Sequence, residues 1–478
     1  MYQNYGLFID GQWRGASNGA TAPVSSPVTE KPLGDVPIAT MADTQEAIES
    51  SKRGFTAWKE TGAFDRADAL HAIADEMIRR KSEAVLMISS ETGKPVAQSE
   101  REWILSIDQF RWYAEEARRI YGRVIETRVP GGRFEVLREP LGIAAAFTAW
   151  NFPAALIARK VAPALAAGCA SIVRPSSQTP GVAMVLVDCI SAGNLPAGAV
   201  NLVIGPTDNT YVPIMASPAV RKVSLTGSTR VGQQMMRDAA DTVKKVSMEL
   251  GGNAPLIVFD DADLEATLNV AVPTKFANAG QVCVTPDRFF VHESLHEAFV
   301  EGFVARTKAL KLGDGLDPAV QMGPLINEKR LNEIESILGD AASAGAKLVA
   351  GGSRSTAFNA GHFHEPTVLT EVTDDMKVFS EENFGPIAAI TRFSSDDEVF
   401  ERANASDMGL SAYAFTSSPT RTRRAVAELK AGMVGVNSFA LAASEAPFGG
   451  TNYSGMGREG GAEGIGDYLD TKLAQIVL

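Results

Sequence analysis

One thiol, Cys283, stands in the stretch Phe276-Ala-Asn-Ala-Gly-Gln-Val-Cys-Val-Thr-Pro-Asp-Arg-Phe-Phe290. Gly280 and Gln281 precede it, and the β-rich run Phe289-Phe290-Val291 follows. This reads as a loop that carries a thiol to the mouth of a strand. A lone cysteine is commonly a small buried apolar residue, so its chemistry depends on its company. Glu249 lies in Ser247-Met-Glu-Leu-Gly-Gly-Asn253, between a strand and a Gly-Gly turn. Flanking Met and Leu would desolvate that carboxyl and raise its pKa toward general-base range; in water it would be an ordinary strand-end acid. Asn151, in Trp150-Asn151-Phe152-Pro153, can offer an amide N–H to an oxyanion or serve as a turn residue. Pro153 suits the first turn of a helix.

Three further stretches could hold phosphate and sugar. Thr226-Gly227-Ser228-Thr229-Arg230-Val231-Gly232 follows a strand and opens a helix, where free backbone N–H groups attract an anion. Ser228 or Thr229 as a capping oxygen would explain the same text. This stretch is not a GxGxxG fingerprint. Arg174 follows the Ile172-Val173 strand and opens Arg174-Pro175-Ser176-Ser177, placing a cation for a ribose or phosphate oxygen. Glu382, in Glu381-Glu382-Asn383-Phe384-Gly385-Pro386, could accept from a ribose hydroxyl pair.

These pieces need a scaffold. A chain of 478 residues exceeds one ordinary core and implies two or three domains. A composition of 45% hydrophobic and 21% charged residues is that of a soluble globular protein. The net charge of −12 argues against nucleic acid, which needs a basic footprint, and gives no reason to expect an anionic membrane. Cys169, Cys189 and Cys283 form no CxxC pair and the five histidines no HExxH, so no metal is expected and a reducing, cytoplasmic setting fits. The N-terminus has no basic and apolar signal pattern.

Residues 7–40 alternate short apolar runs with Gly, Asn and Pro, as hairpins do. Helical periodicity follows from Thr44: Ala47, Ile48, Phe55 and Trp58 suit one helix, and Leu70, Ile73, Ala74, Met77 and Ile78 another. A third helix spans 98–119, with Trp103, Ile107, Phe110 and Tyr113 on one face. Residues 120–140 are extended and break at Pro130-Gly131-Gly132. From Gly142 apolar strands alternate with helices, as in a parallel α/β sheet, and a second such set starts at Pro255. It continues through helices at 264–278, 293–310 and 397–404 and strands at 347–349 and 413–415. Gly461 to Leu478 end in an extended apolar tail.

In this order the motifs make the chain resemble the NAD(P)-dependent aldehyde dehydrogenase superfamily over nearly its whole length. The matching text is Trp150-Asn-Phe-Pro153, Gly227-Ser-Thr-x-x-Gly232, Met248-Glu-Leu-Gly-Gly252, Gly280-Gln-x-Cys283, Glu382-x-Phe-Gly-Pro386 and Pro447-Phe-Gly-Gly450. Gly251 to Leu264 and Gly313 to Ile326 are similar to the bacterial succinate-semialdehyde dehydrogenases. The resemblance implies an α/β fold with a cofactor-binding domain (1–119 and 141–250), a catalytic domain (251–434), oligomerisation segments (120–140 and 461–478) and a return at 435–460 to the substrate channel. It implies Cys283 as nucleophile, Asn151 and the Cys283 N–H as oxyanion donors, and Glu249 as base for thioester hydrolysis. Cofactor contacts would come from Thr148, Trp150, Arg174, Ser176, Ser177, Gly205, Thr226, Gly227, Ser228, Val231, Leu250, Glu382 and Phe384. Arg159 and Phe152 would meet the substrate. A homodimer or homotetramer follows by the same analogy.

Three departures from the family pattern matter. Arg174 stands where most members carry Lys, and Ser177 where NAD-preferring relatives place Glu. An added cation and a missing carboxylate favour NADP, or use of both NADP and NAD. Arg159 matches one of two arginines that bind the succinate semialdehyde carboxylate, but Ala277 replaces the other and Ala442 a loop serine. Lactaldehyde or glycolaldehyde, 2-oxoglutarate semialdehyde and aromatic aldehydes are therefore alternative substrates. Thr285 replaces a second loop cysteine, so no intraloop disulfide is expected. A CoA-acylating member or a non-catalytic binding protein on this fold are the competing readings; Glu249 favours hydrolysis over CoA transfer, and the presence of Cys283, Glu249 and Asn151 together argues against a non-catalytic protein.

Overall fold

In the computed structural model, which describes residues 1–478, two sheets carry the chain. The first has eight strands, in the order Gln12–Arg14, Leu7–Ile9, Val200–Leu202, Ala170–Arg174, Ile143–Phe147, Val220–Thr226, Lys245–Glu249 and Gly455–Met456. Its five central strands are parallel, and its edge strands run antiparallel. The second has seven: Lys347–Ala350, Thr367–Thr370, Ile387–Phe393, Pro286–His292, Ala254–Val258, Ser411–Phe415 and Met433–Val436. All its pairings are parallel except that of Lys347–Ala350.

Central parallel strands are covered on both faces, which is why some of them read as continuous apolar runs. Every residue of Ile143–Phe147 and Ala254–Val258 is buried. Pro153–Ala167 is a wholly buried helix, opened by Pro153 at its first turn and closed by Gly168 in the left-handed region (φ 87°). Each sheet has its own apolar core, one built on Trp103, Phe110 and Phe147 and the other on Phe259, Phe289 and Phe290.

The segments expected to be extended form a third sheet. Leu469–Val477 pairs antiparallel with Gly132–Pro140, which pairs with Arg123–Glu126. Val124, Ile125, Leu137, Leu473 and Val477 are exposed there.

Several expectations need correction. The helix from 264 stops at Phe276, not 278, because Asn278 (φ 47°) and Ala279 (φ 54°) turn left-handed and Gly280 (φ 71°) follows them. The long helix is Val96–Ala117 rather than 98–119. Ile78, expected on a buried face, is 44% exposed. Helices Lys81–Thr92, Thr207–Ala216, Glu328–Ser343 and Pro419–Glu428 and strands Thr367–Thr370, Ile387–Phe393 and Met433–Val436 were not anticipated. Lys81–Thr92 buries Ser89, Ser90, Glu91 and Thr92 beside Ala84 and Ile88, so no apolar stripe marks it.

Candidate active site

Ligands of open α/β sheets bind beyond the carboxyl ends of the strands, and the candidate residues gather there. Asn151 follows Phe147, Gly227 and Ser228 follow Thr226, and Glu249 is the last residue of its own strand. From the second sheet come Cys283, just before Pro286–His292, and Glu382 with Phe384, just before Ile387–Phe393. A cavity of about 490 Å³ between them is lined by Trp150, Asn151, Phe152, Arg159, Thr226, Gly227, Ser228, Glu249, Leu250, Cys283, Glu382 and Phe384.

Glycines let these pieces approach. A Cβ on Gly251 would lie 2.5 Å from Glu382 Oε2, and one on Gly252 would lie 2.5 Å from the Cys283 carbonyl. The Gly252 N–H donates to Glu382 Oε1 at 3.1 Å and so fixes that carboxylate. A Cβ on Gly280 would sit 2.0 Å from the Gly385 carbonyl, which explains the glycine before Gln281. Arg330 braces the Glu382 loop from outside by donating to the carbonyls of Phe384 (3.2 Å) and Asn383.

Several charged groups of the site are buried, among them Arg159, Lys160, Glu249 and Glu459. Burial, and then the neighbouring Glu459 carboxylate, raise the Glu249 pKa well above the usual carboxyl range. Glu249 Oε2 has no hydrogen-bond partner. Glu459 is paired with Lys160, whose ammonium also donates to Thr226 Oγ1 at 2.6 Å. Glu382 is pushed up to about 7, chiefly by burial. Burial and then the Glu382 and Glu249 carboxylates raise the Cys283 thiol to about 12, partly offset by Arg159. Cys283 is partly exposed to the cavity, whereas Cys169 and Cys189 are buried and free.

Ser228 occupies the N-cap of Thr229–Ala240 with extended backbone, but its hydroxyl makes no cap bond. Thr229 Oγ1 donates instead to the Tyr453 carbonyl at 3.0 Å. The helix N-terminus is therefore left for an external acceptor, the geometry a phosphate group needs. Gly232 allows this helix to sit against Leu250: a Cβ there would lie 2.5 Å from Leu250 Cδ2.

Thr148, Arg174, Ser176, Ser177, Gly205 and Val231 do not line the cavity. Arg174 is half-buried, and two of its donors are already engaged, with the Gly205 carbonyl (3.1 Å) and Thr210 Oγ1 (3.4 Å). The Thr148 N–H donates to the Arg174 carbonyl at 3.3 Å, so Thr148, Arg174, Gly205 and Thr210 form one patch. Thr148 Oγ1 is buried without a partner.

At the other end of the cavity Arg159 is 4% exposed, and its Nε and Nη2 have no hydrogen-bond partner. Its guanidinium stacks 4.1 Å from the Phe448 ring centroid. Leu105, Phe152, Ala442 and Phe448 supply an apolar wall. Ala277 is not part of it.

Residues 13–474 match the profile described as the aldehyde dehydrogenase family, and the chain belongs to that family. It is an oxidoreductase that converts aldehydes to acids with a nicotinamide dinucleotide. The chain is 45% identical to a 3-sulfolactaldehyde dehydrogenase of Pseudomonas putida, over 97% of this chain and 95% of the relative. It is 40% identical to the NADP(+) succinate-semialdehyde dehydrogenase GabD of Escherichia coli, over 97% and 96%. The crystal structure of an E. coli NADP dependent enzyme superposes with a TM-score of 0.97 at 40% identity, covering 99% of this chain and 98% of the other. No helix is long and apolar enough to cross a membrane.

Proposed function

We propose that this enzyme oxidises a small aldehyde whose far end carries an anion, a carboxylate or a sulfonate, with Cys283 as nucleophile. The observation that carries the reading is Arg159. A buried guanidinium with two unsatisfied donors is costly unless an acceptor completes it. It lines the same cavity as Cys283. Relatives named for sulfolactaldehyde and succinate semialdehyde, both anionic, support the class.

The Cys283 sulfur, on losing its proton, attacks the aldehyde carbon. The oxygen that becomes anionic is met by the Asn151 amide and the Cys283 N–H. The dinucleotide, when bound, supplies the hydride acceptor, and Cys283 is left as a thioester. Glu249 takes a proton from water as that water attacks the thioester carbon, and the C–S bond breaks to release acid and thiol. Ser228 and Gly227 suit the pyrophosphate, and Glu382 and Phe384 the nicotinamide side. Arg174 and Ser177 favour NADP, or use of both cofactors, because no carboxylate opposes a 2′-phosphate.

The test is a panel of succinate semialdehyde, 3-sulfolactaldehyde, lactaldehyde, butanal and benzaldehyde run with both cofactors. Anionic aldehydes should exceed butanal in kcat/KM by about 30-fold or more, from charge-assisted bonds of about 2 kcal/mol or above. Equal turnover of butanal would reject the anion site, and a strong NAD preference would reject the NADP reading.

The third sheet belongs to the same proposal. Arg123–Glu126 and Leu469–Val477 leave two strand edges unpaired and apolar side chains in water, a surface suited to a second copy. A homodimer or homotetramer is expected by light scattering; a monomer at micromolar concentration would count against it.

A further inference from the structure

The two oxyanion donors stand on different sheets, so something must hold them in register. Asn151 belongs to the first sheet and Cys283 to the second. Side-chain amides bridge them: Asn278 Nδ2 donates to the Asn151 carbonyl at 3.2 Å and to the Gln281 carbonyl at 3.3 Å. Asn151 Nδ2 also donates to the Gln281 carbonyl, at 3.2 Å, leaving its other amide hydrogen for a ligand. From the first sheet's side, Lys94 Nζ donates to the Asn151 carbonyl at 2.8 Å and lies 3.9 Å from the Phe152 ring centroid. Lys94 is paired with Glu102, and both side chains are fully buried. Glu102 in turn accepts from the Ala154 N–H at 2.8 Å, fixing the start of the helix that follows Asn151. Gln98 completes the link by accepting from the Asn278 N–H at 2.8 Å.

We propose that Asn278, backed by Lys94 and Glu102, is a positioning clamp that sets the Asn151 amide against the Cys283 loop. The clamp rests on the reading of Asn151 as an oxyanion donor. Asn278 serves no other evident purpose for its amide: both bonds it donates end on carbonyls flanking the reacting groups. The Cys283 loop has other fastenings besides that amide. Gln281 holds it separately, donating to the Asn278 carbonyl (2.9 Å) and accepting from the Ile326 N–H (3.0 Å). Misplacing a catalytic group by about 1 Å can cost about 100-fold in rate, so a relaxed Asn151 should be visible in turnover.

Asn278→Gly removes the amide and keeps the left-handed backbone, which glycine adopts freely. It should lower kcat about 10- to 100-fold, leave the cofactor KM within about twofold of wild type, and expose a primary isotope effect with the 1-deuterated aldehyde. Asn278→Asp loses both donors and sets a carboxylate against two carbonyls, so it should fall below the glycine variant. In an Asn151→Ala background, Asn278→Gly should cost nothing more, because the clamp acts through Asn151. Full activity in Asn278→Gly, a loss that multiplies with Asn151→Ala, or a loss that tracks a fall in melting temperature would each overturn the clamp. If Asn151→Ala alone keeps wild-type kcat, the oxyanion reading fails first, a result distinct from failure of the clamp.

Discussion

Cys283→Ala is expected to end aldehyde oxidation, with kcat falling about 10,000-fold or more, while dinucleotide binding is retained. Removing a catalytic nucleophile typically removes nearly all of the chemical acceleration. The cofactor-side groups Ser228, Leu250 and Glu382 are untouched by the change, so fluorescence titration with NADP should give an unchanged Kd. The thiol itself can be followed. Burial and two nearby carboxylates hold it at about 12 in the free protein, so it is protonated at neutral pH. Only the thiolate reacts with an alkylating agent; labelling should therefore accelerate steadily from pH 7 to 10 without reaching a plateau. One equivalent should be taken up by the native protein, because Cys169 and Cys189 are fully buried and their thiols are raised to about 11 and about 12 by burial. Residual NADP reduction above about 1% of wild type in Cys283→Ala would move the nucleophile elsewhere, given the loss expected for a covalent catalyst.

What could be read from the chain followed its local physics. Strand–helix alternation from Gly142 to Glu249 shows in the sequence because strands such as Ile143–Phe147 are apolar runs and most turns carry a Gly or Pro break. Of the six site stretches, the five that reach the cavity, at Asn151, Gly227, Glu249, Cys283 and Glu382, were legible because each joins a strand end to a chemically capable residue. The supporting charges were not. Lys160 and Glu459 are 299 residues apart and meet only in the fold. A sequence signal did exist: Arg159 and Lys160 interrupt a helix that is otherwise apolar throughout. Two cations on a buried helix need partners, and one finds Glu459 while the other finds none. Lys94 and Glu102 are eight residues apart across a turn, and nothing local distinguishes them from a solvent-exposed pair. The left-handed Asn278 and Ala279 could not be read either, because alanine rarely adopts positive φ and the Gly385 loop that confines this turn lies a hundred residues away. Such strain gathers at sites whose geometry is over-determined by their surroundings.

Arg159→Leu separates recognition from chemistry. The guanidinium lies 4.1 Å from the Phe448 ring centroid, and the donors of its Nε and Nη2 edge are buried without partners beside the cavity that Arg159 lines. That edge matches a carboxylate or sulfonate with two parallel N–H donors. Losing such a buried charge-assisted contact costs about 2–4 kcal/mol, so kcat/KM for the anionic aldehyde should fall about 30- to 1,000-fold. Most of the loss should appear in KM, since the anion is bound equally in the ground and transition states. Butanal, which has no charge to lose, should be turned over as well as before or better, because leucine extends the apolar wall of Leu105, Phe152 and Phe448. Arg159→Lys keeps the charge without the planar fork and should fall between the two. The Glu249 pKa supplies a second readout. Arg159 lowers it, so its removal should shift the acidic limb of the kcat profile to higher pH. An equal loss for butanal and the anionic aldehyde would show that Arg159 supports the fold or the base rather than the substrate, and the anionic substrate class would fall with it.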